Sequence, residues 1–403
     1  MGSTRGASVF AAIGFAAVIA GVPAMQAAWE MRRGEWPQAL DVLCRVPTVA
    51  NRRAYQADLE EASVVAGQLR PWVQYAQFAL LRDGGAKAVV GRDGWLFYRP
   101  GLEYLTGRPP PDQGCGDADP LPAILAFRDQ LAARGIHLVL MPAPNKESIY
   151  PERLSGRAGP APVAVGRQTR QLLVRLREAR VEVVDLFDVF RQAKHEQAAS
   201  GARALYLAQD THWSPAGVAL AATVAAERLR ARGWVAPGTV RYGLRPAPLR
   251  RGGDVVRMLQ APPIERLVGP ETIPCEQVFL GDTGEPYKDT PDAEVLVLGD
   301  SFLRIYEQDE PGSAGFVAHL ARRLGQPVTS LISDGGGATL VRQELHRRPG
   351  LLAKKRVVLW EFVERDIRFA AEDWPVVPLP EAGPPRASLR EEGRARQTVG
   401  GAS

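Results

Sequence analysis

The first strong pattern along the chain is an apolar stretch without one charged residue, "ASVFAAIGFAAVIAGVPAMQAAW", Ala7 to Trp29. A helix needs roughly 20 apolar residues to cross a bilayer, so this stretch suffices as a signal-anchor. It also fits a secretion signal, with Arg5 ahead of it, an apolar centre from Val9 to Ala20, and small residues at Val22 and Ala24 before a cut. A buried N-terminal helix is the third reading. Either of the first two exports everything after residue 35. No second stretch approaches spanning length, so the body reads as soluble.

Residues 36–86 read as helical and mixed, with no evident role. "GRDGWLFYRPG", Gly91 to Gly101, is a turn, a short aromatic strand and another turn. After a Pro- and Gly-rich loop at 107–120, an alternation begins. Helical spacing covers 120–134, 163–179, 186–199, 215–232, 312–324 and 338–348. Between these lie apolar runs read as buried strands at 136–141, 181–186, 295–298, 328–332 and 356–362. Pro215 opens one helix and Gly233 closes it, the usual asymmetry of helix ends. Continuous apolar strands separated by helices predict an α/β fold, a mostly parallel sheet covered on both faces. Such sheets carry their sites beyond the carboxyl ends of the strands. Residues 235–290, rich in Pro, Gly and Arg, break the alternation and read as an insertion or lid. The expected organisation is a leader at 1–35, a helical region at 36–86, one domain at 87–375 and a mobile tail at 376–403.

Composition adds little. The 403 residues carry a net charge of +5, with Arg far outnumbering Lys. Such a mild excess does not argue for a nucleic-acid partner. Cys44, Cys115 and Cys275 are far apart and form no C-x-x-C pair, which argues against a zinc site. One disulfide plus one free thiol fits an oxidising compartment, with the pairing open.

One strand ends in candidate chemistry. Val295–Leu298 runs into Gly299-Asp300-Ser301, which puts a serine at the carboxyl end of a buried strand. Gly299 gives the backbone room to turn, and a helical turn starting near Phe302 would aim free N–H groups at an oxyanion. The plain alternative is a serine that caps a helix. A serine nucleophile needs a base. Of five histidines, His137 reads as core, while His195, His319 and His346 read as solvated on helices. His212 differs: it sits in "YLAQDTHWSPAG", after a short strand-like run and before a helix opening at Ser214-Pro215. Asp210, two residues ahead, is spaced to hold the imidazole and set its tautomer. Trp213 is large enough to wall the site or stack on a sugar. Asp210 and His212 could also ligate a metal, but no third ligand is evident.

This pair of segments resembles the SGNH hydrolases, whose marks are Gly-Asp-Ser and a downstream Asp-x-x-His. Here the Asp-His element comes first and only Thr211 separates its members. Both departures match the periplasmic SGNH-like acetyltransferases of alginate and other exopolysaccharides, the alginate O-acetyltransferase J/X type. "GRDGWLFY" (91–98), "MPAPNKESIYPERL" (141–154), "GGDVVRML" (252–259) and "VVLWEFVERDI" (357–367) also resemble that family, in the right order over roughly 87–370.

The resemblance implies an SGNH hydrolase-like three-layer sandwich. It implies Ser301 as nucleophile, His212 as general base and acid, and Asp210 as its orienter, with Asp300 outside the triad. The oxyanion hole would take a glycine N–H from Gly335, Gly336 or Gly337 and an asparagine, for which Asn145 is the candidate. Lys146 is either a site residue or a solvated charge, and Arg304 either a site residue or surface. The implied reaction needs no metal and no diffusible cofactor. Its implied partners are a polysaccharide acceptor, a membrane acyltransferase of the MBOAT type as acetyl donor, and other polysaccharide biosynthesis proteins. The implied location is the periplasm, with the N-terminal helix in the inner membrane. An acetylesterase with the same triad, and a non-catalytic glycan-binding scaffold lined by Trp95, Trp213, Trp360 and Tyr306, are the rival readings.

Overall fold

The computed structural model describes residues 3–44, 46, 48–107, 119–156, 164–201, 203–335, 337–369 and 374–380. Two compact units divide the chain: Met1–Ala86 with Val256–Gly269, and Lys87–Val255 with Pro270–Ser403.

In the first unit a long helix, Ser3–Arg32, is followed by helices Val49–Ala62 and Val64–Leu81. Within it, Ala12–Arg32 is long and apolar enough to cross a membrane. Ile13, Phe15, Val18 and Ile19 are exposed, which speaks against the buried-helix reading, because water-soluble surfaces rarely leave so many apolar side chains together. Gln26 ties the helix to its neighbours, donating to Ala62 O and accepting from Val64 N.

The second unit holds a five-stranded, all-parallel sheet. Its strands are β1 (His137–Ala143), β2 (Glu182–Val183), β3 (Val295–Gly299), β4 (Thr329–Ile332) and β5 (Val357–Val363). The spatial order is β4-β3-β5-β1-β2. Side chains alternate between two cores, as a pleated strand requires. Val295, Val297, Leu359 and Met141 face one core, Leu296, Leu298, Trp360 and Leu140 the other. Helices α3 (Leu186–Ser200), α4 (Pro215–Ala231) and α6 (Phe316–Leu324) cover the first face. Helices α1 (Pro120–Ala132), α2 (Arg167–Glu178) and α7 (Gly337–His346) cover the second. The result is the expected three-layer α/β sandwich. Helix α5 (Ser301–Arg304) is a single turn directly after β3.

Several expectations change. The strand expected at 181–186 shortens to the edge pair Glu182–Val183. The insertion at 235–290 divides. Residues 256–269 belong to the first unit, while the flanks form two antiparallel ribbons, Tyr242–Pro246 with Glu276–Leu280 and Leu249–Arg251 with Glu271–Ile273. The tail expected to be mobile from residue 376 keeps Val377 and Leu379 buried, because Gln130 donates to Val377 O and accepts from Leu379 N. Residues 381–403 lie outside the described residues, as does Cys115; Cys44 and Cys275 are free thiols.

Candidate active site

Strand β3 ends at Gly299, and Asp300 and Ser301 follow at the carboxyl edge of the sheet. Gly299 is not needed for a left-handed turn. A Cβ there would lie 2.4 Å from Glu361 Oε2 and 2.4 Å from Leu303 Cδ1, so close approach is its reason. The helix cap is Asp300, not Ser301: its Oδ1 accepts the Phe302 N–H at 2.8 Å. The capping alternative for Ser301 therefore falls. The N–H groups of Leu303 and Arg304 both go to Asp300 O, so the free donors expected from Phe302 onward are already used.

His212 reaches this turn from the segment before α4. Its ring lies 4.9 Å from the Phe302 ring, and the Asp300 charge acts on it. His212 Nδ1 is 2.6 Å from Asp210 Oδ1. A carboxylate only accepts, so the proton sits on Nδ1 and Nε2 offers its lone pair. Nε2 is buried and has no hydrogen-bond partner among the described residues. Burial alone would lower the imidazole pKa, but the Asp210 charge and hydrogen bond, with Asp254 and Asp300, outweigh it and raise it above 6.5. Asp210 goes the other way: burial is outweighed by His212 and Arg251, which hold its carboxyl well below the usual range.

The orienting cluster is larger than the sequence suggested. Asp254, from the "GGDVVRML" stretch, accepts the Thr211 N–H at 2.7 Å, and its Oδ2 lies 3.4 Å from His212 Nδ1. Arg251 Nε donates to Asp210 Oδ2 at 3.1 Å and Nη1 to Asp309 Oδ2 at 3.2 Å. The insertion thus delivers two residues that distance in sequence concealed. The signal in the sequence is the 252–259 stretch itself, and Gly253 is required there because a Cβ would lie 1.9 Å from Gln209 O. Asp210, His212 and Asp254 also form the three-ligand set that was not evident before, with ligand atoms within 4.8 Å. Their oxygens are already engaged by Thr211, Arg251 and backbone N–H groups. A guanidinium in contact opposes a cation, and the same contacts hold the His212 ring.

The remaining candidates separate. Asn145, beyond β1 on the same sheet edge, is buried with neither amide atom hydrogen-bonded among the described residues, while its main-chain N–H goes to Glu364 Oε2 at 2.9 Å. That is an amide available to a ligand. Gly335 and Gly337 have φ of +83° and +56° in the loop after β4; Gly336 lies outside the described residues. Lys146 is neither solvated nor open to substrate. It is buried and donates to Leu96 O, Ala208 O and Asp210 O at 2.5, 2.8 and 3.0 Å, so it fixes the backbone that carries Asp210. Burial brings its ammonium down to about 8 against the pull of Glu147, Asp254 and Asp210. Trp213 is fully buried, donates to Phe302 O at 2.9 Å and packs edge-on against Phe302. It supports the serine turn and cannot stack on a sugar. Trp360 and Tyr306 are fully buried as well, so they cannot join Trp95, which lines a cavity, in the aromatic groove of the scaffold reading. Arg304 joins Asp309 and Asp334 at 3.2 and 3.1 Å, tying α5 to the glycine loop. Among the other histidines, His137 is exposed and stacked on Trp234 at 4.3 Å rather than in the core. His319 is buried in α6, and burial pushes it down to about 4.

Residues 88–364 match the family model described as SGNH hydrolase-like domain, acetyltransferase AlgX. The chain is 25% identical over 307 residues to the probable alginate O-acetylase AlgJ of Pseudomonas aeruginosa, covering 73% of this chain and 74% of that protein. It is 28% identical over 296 residues to the protein of the same description from Pseudomonas putida, covering 72% of each. The solved O-acetyltransferase domain of Pseudomonas putida AlgJ shares the fold, with a TM-score of 0.52 at 22% identity, covering 70% of this chain and 92% of that one. A family model that spans most of the chain, on a three-layer sheet with its candidate serine and histidine at one edge, places the chain in the SGNH hydrolase-like acetyltransferase family of the AlgX type.

Proposed function

We propose that the chain is an exported O-acetyltransferase that moves an acetyl group through a serine ester onto hydroxyls of a bacterial exopolysaccharide. The observation that carries this reading is His212: pinned at Nδ1 by Asp210, with Nε2 buried and unpartnered, beside the turn that bears Ser301. Ser301 Oγ attacks the acetyl carbon while His212 Nε2 takes its proton. The tetrahedral oxyanion accepts hydrogen bonds from the Asn145 amide and a glycine N–H of the 335–337 loop. Collapse breaks the bond to the donor's leaving group, which takes the proton back from His212. A sugar hydroxyl then gives its proton to His212, attacks the ester and leaves as the acetylated product, and Ser301 regains its hydrogen. None of these steps draws on a metal or cofactor.

The acetyl group originates where acetyl thioesters are made, inside the cell. An MBOAT-type membrane acyltransferase is the proposed donor, with other polysaccharide biosynthesis proteins as neighbours. The apolar helix Ala12–Arg32 supports a periplasmic body held at the inner membrane. The test is an activated acetyl ester with a panel of unacetylated oligosaccharides, followed by mass spectrometry beside Ser301→Ala. An acetyl group gained by a sugar, and lost in the variant, supports transfer. Serine-dependent free acetate with every sugar unmodified favours the esterase, and serine-independent product overturns the triad.

A further inference from the structure

The segment that ends β5, "EFVERD", carries three acids the proposed reaction does not use: Glu361, Glu364 and Asp366. All three are buried, where a carboxyl group without purpose is costly. Each holds a different neighbour. Glu361 Oε2 accepts the Asp300 N–H at 3.2 Å, one residue before Ser301. Glu364 Oε2 accepts the Asn145 N–H at 2.9 Å. Asp366 accepts from the Ala338 N–H, and its Oδ2 lies 2.5 Å from where a Cβ on Gly337 would stand. The serine turn, the asparagine and the glycine loop follow three different strands, β3, β1 and β4. The ends of β3 and β4 are linked by the Ser333 N–H on Gly299 O at 3.0 Å and by the Arg304–Asp334 pair, and the three acids add links that come from β5.

We propose that Glu361, Glu364 and Asp366 are positioning residues that together brace the three elements around the reacting carbon. The proposal rests on the serine acetyl-transfer reading above. Further contacts close the brace. Asp300 returns the grip, accepting the Val363 N–H on Oδ2 at 3.3 Å. Glu364 is fixed in turn by Ser148 Oγ at 2.5 Å and Thr169 Oγ1 at 2.8 Å. The Arg365 guanidinium is felt by Asp366, Asp300 and Glu147 and offsets their charge. Because Glu364 takes the main-chain N–H of Asn145, the side-chain amide stays available for an oxyanion. Donors to an oxyanion work within a narrow distance range, and a displacement of about 1 Å can cost on the order of 100-fold in rate.

The experiment is a double-mutant cycle on the full chain in detergent, read by 4-nitrophenyl acetate turnover. Glu364→Gln keeps the shape but turns an NH₂ towards one of the groups that now donate. It should lower kcat about tenfold with KM little changed. Asn145→Ala should lower kcat further, and adding Glu364→Gln to it should change nothing more, because Glu364 acts through Asn145. If Glu364→Gln loses its folded far-UV signature, the isosteric Thr169→Val takes its place in the cycle. Losses that multiply, or a Glu364→Gln enzyme within about two-fold of the parent, overturn the brace. Turnover that survives Ser301→Ala overturns the serine reading itself, whatever the Glu364 variants do.

Discussion

His212 Nδ1 lies 2.6 Å from Asp210 Oδ1, and the opposite ring nitrogen is buried with no hydrogen-bond partner among the described residues. One nitrogen is therefore committed to orientation and the other left for chemistry. The Asp210 charge also raises the imidazole pKa above 6.5. The base works only when neutral, so the parent's activity should fall as pH drops through a value above 6.5. Asp210→Asn removes the charge that opposes burial, so its acid limb should move to lower pH. Its kcat should fall by roughly 10³–10⁴, the size seen when a triad carboxylate is neutralised elsewhere. A kcat profile against pH for both proteins checks the two effects together.

Lys146 reaches Leu96 O, Ala208 O and Asp210 O. Lys146→Met fills similar space but takes the ammonium from Leu96 O, Ala208 O and Asp210 O, at about 1–3 kcal/mol for each left without a donor that water cannot reach; Ala208 O keeps the Leu96 N–H at 2.8 Å. The variant should unfold at lower denaturant, and kcat should fall with it, since Asp210 loses an anchor. An unchanged midpoint would mean the ammonium is not structural.

Trp213 donates to Phe302 O and is fully buried. Trp213→Phe should cost about 1–3 kcal/mol in stability, a lost hydrogen bond plus a smaller ring. KM for an oligosaccharide acceptor should not change, because the indole touches no acceptor. A large rise in acceptor KM at constant stability would return Trp213 to the sugar site.

Gly253 lets the backbone just ahead of Asp254 press against Gln209 O. Gly253→Ala must push the two backbones apart, at about 1–3 kcal/mol. Asp254 would then lose its hold on Thr211, 2.7 Å at present, and kcat should fall together with the melting temperature. Calorimetry and turnover on the same sample check both.

Much of this arrangement is legible in sequence because it follows from local pattern. Apolar runs such as Val295–Leu298 predict buried parallel strands, and a parallel sheet predicts the edge that carries Ser301, where His212 lies against Phe302. The Asp210–His212 contact is local, two residues apart, and so is readable from spacing. Asp254 and Arg251 arrive from an insertion whose folding no periodicity encodes. The burial of Lys146, Trp213 and His319 is not legible in the sequence, because residue type does not reveal which side of a loop or helix is covered. A lysine in a loop can be buried when three carbonyls converge on it, and an aromatic beside a histidine can serve the core instead of a ligand. The carboxyl groups of Glu361, Glu364 and Asp366 lie in one short stretch, but their partners Asp300, Asn145 and Ala338 lie in segments that follow three other strands.

The most direct test of the account is whether an acetyl group resides on Ser301. The full chain would be mixed with an activated acetyl ester in the absence of acceptor, quenched in acid and digested for peptide mass spectrometry. The account predicts one acetyl mass on the peptide containing Ser301, absent from Ser301→Ala and strongly reduced in rate in His212→Ala. Turnover with the acetyl group on another residue, or labelling that persists in Ser301→Ala, would contradict it.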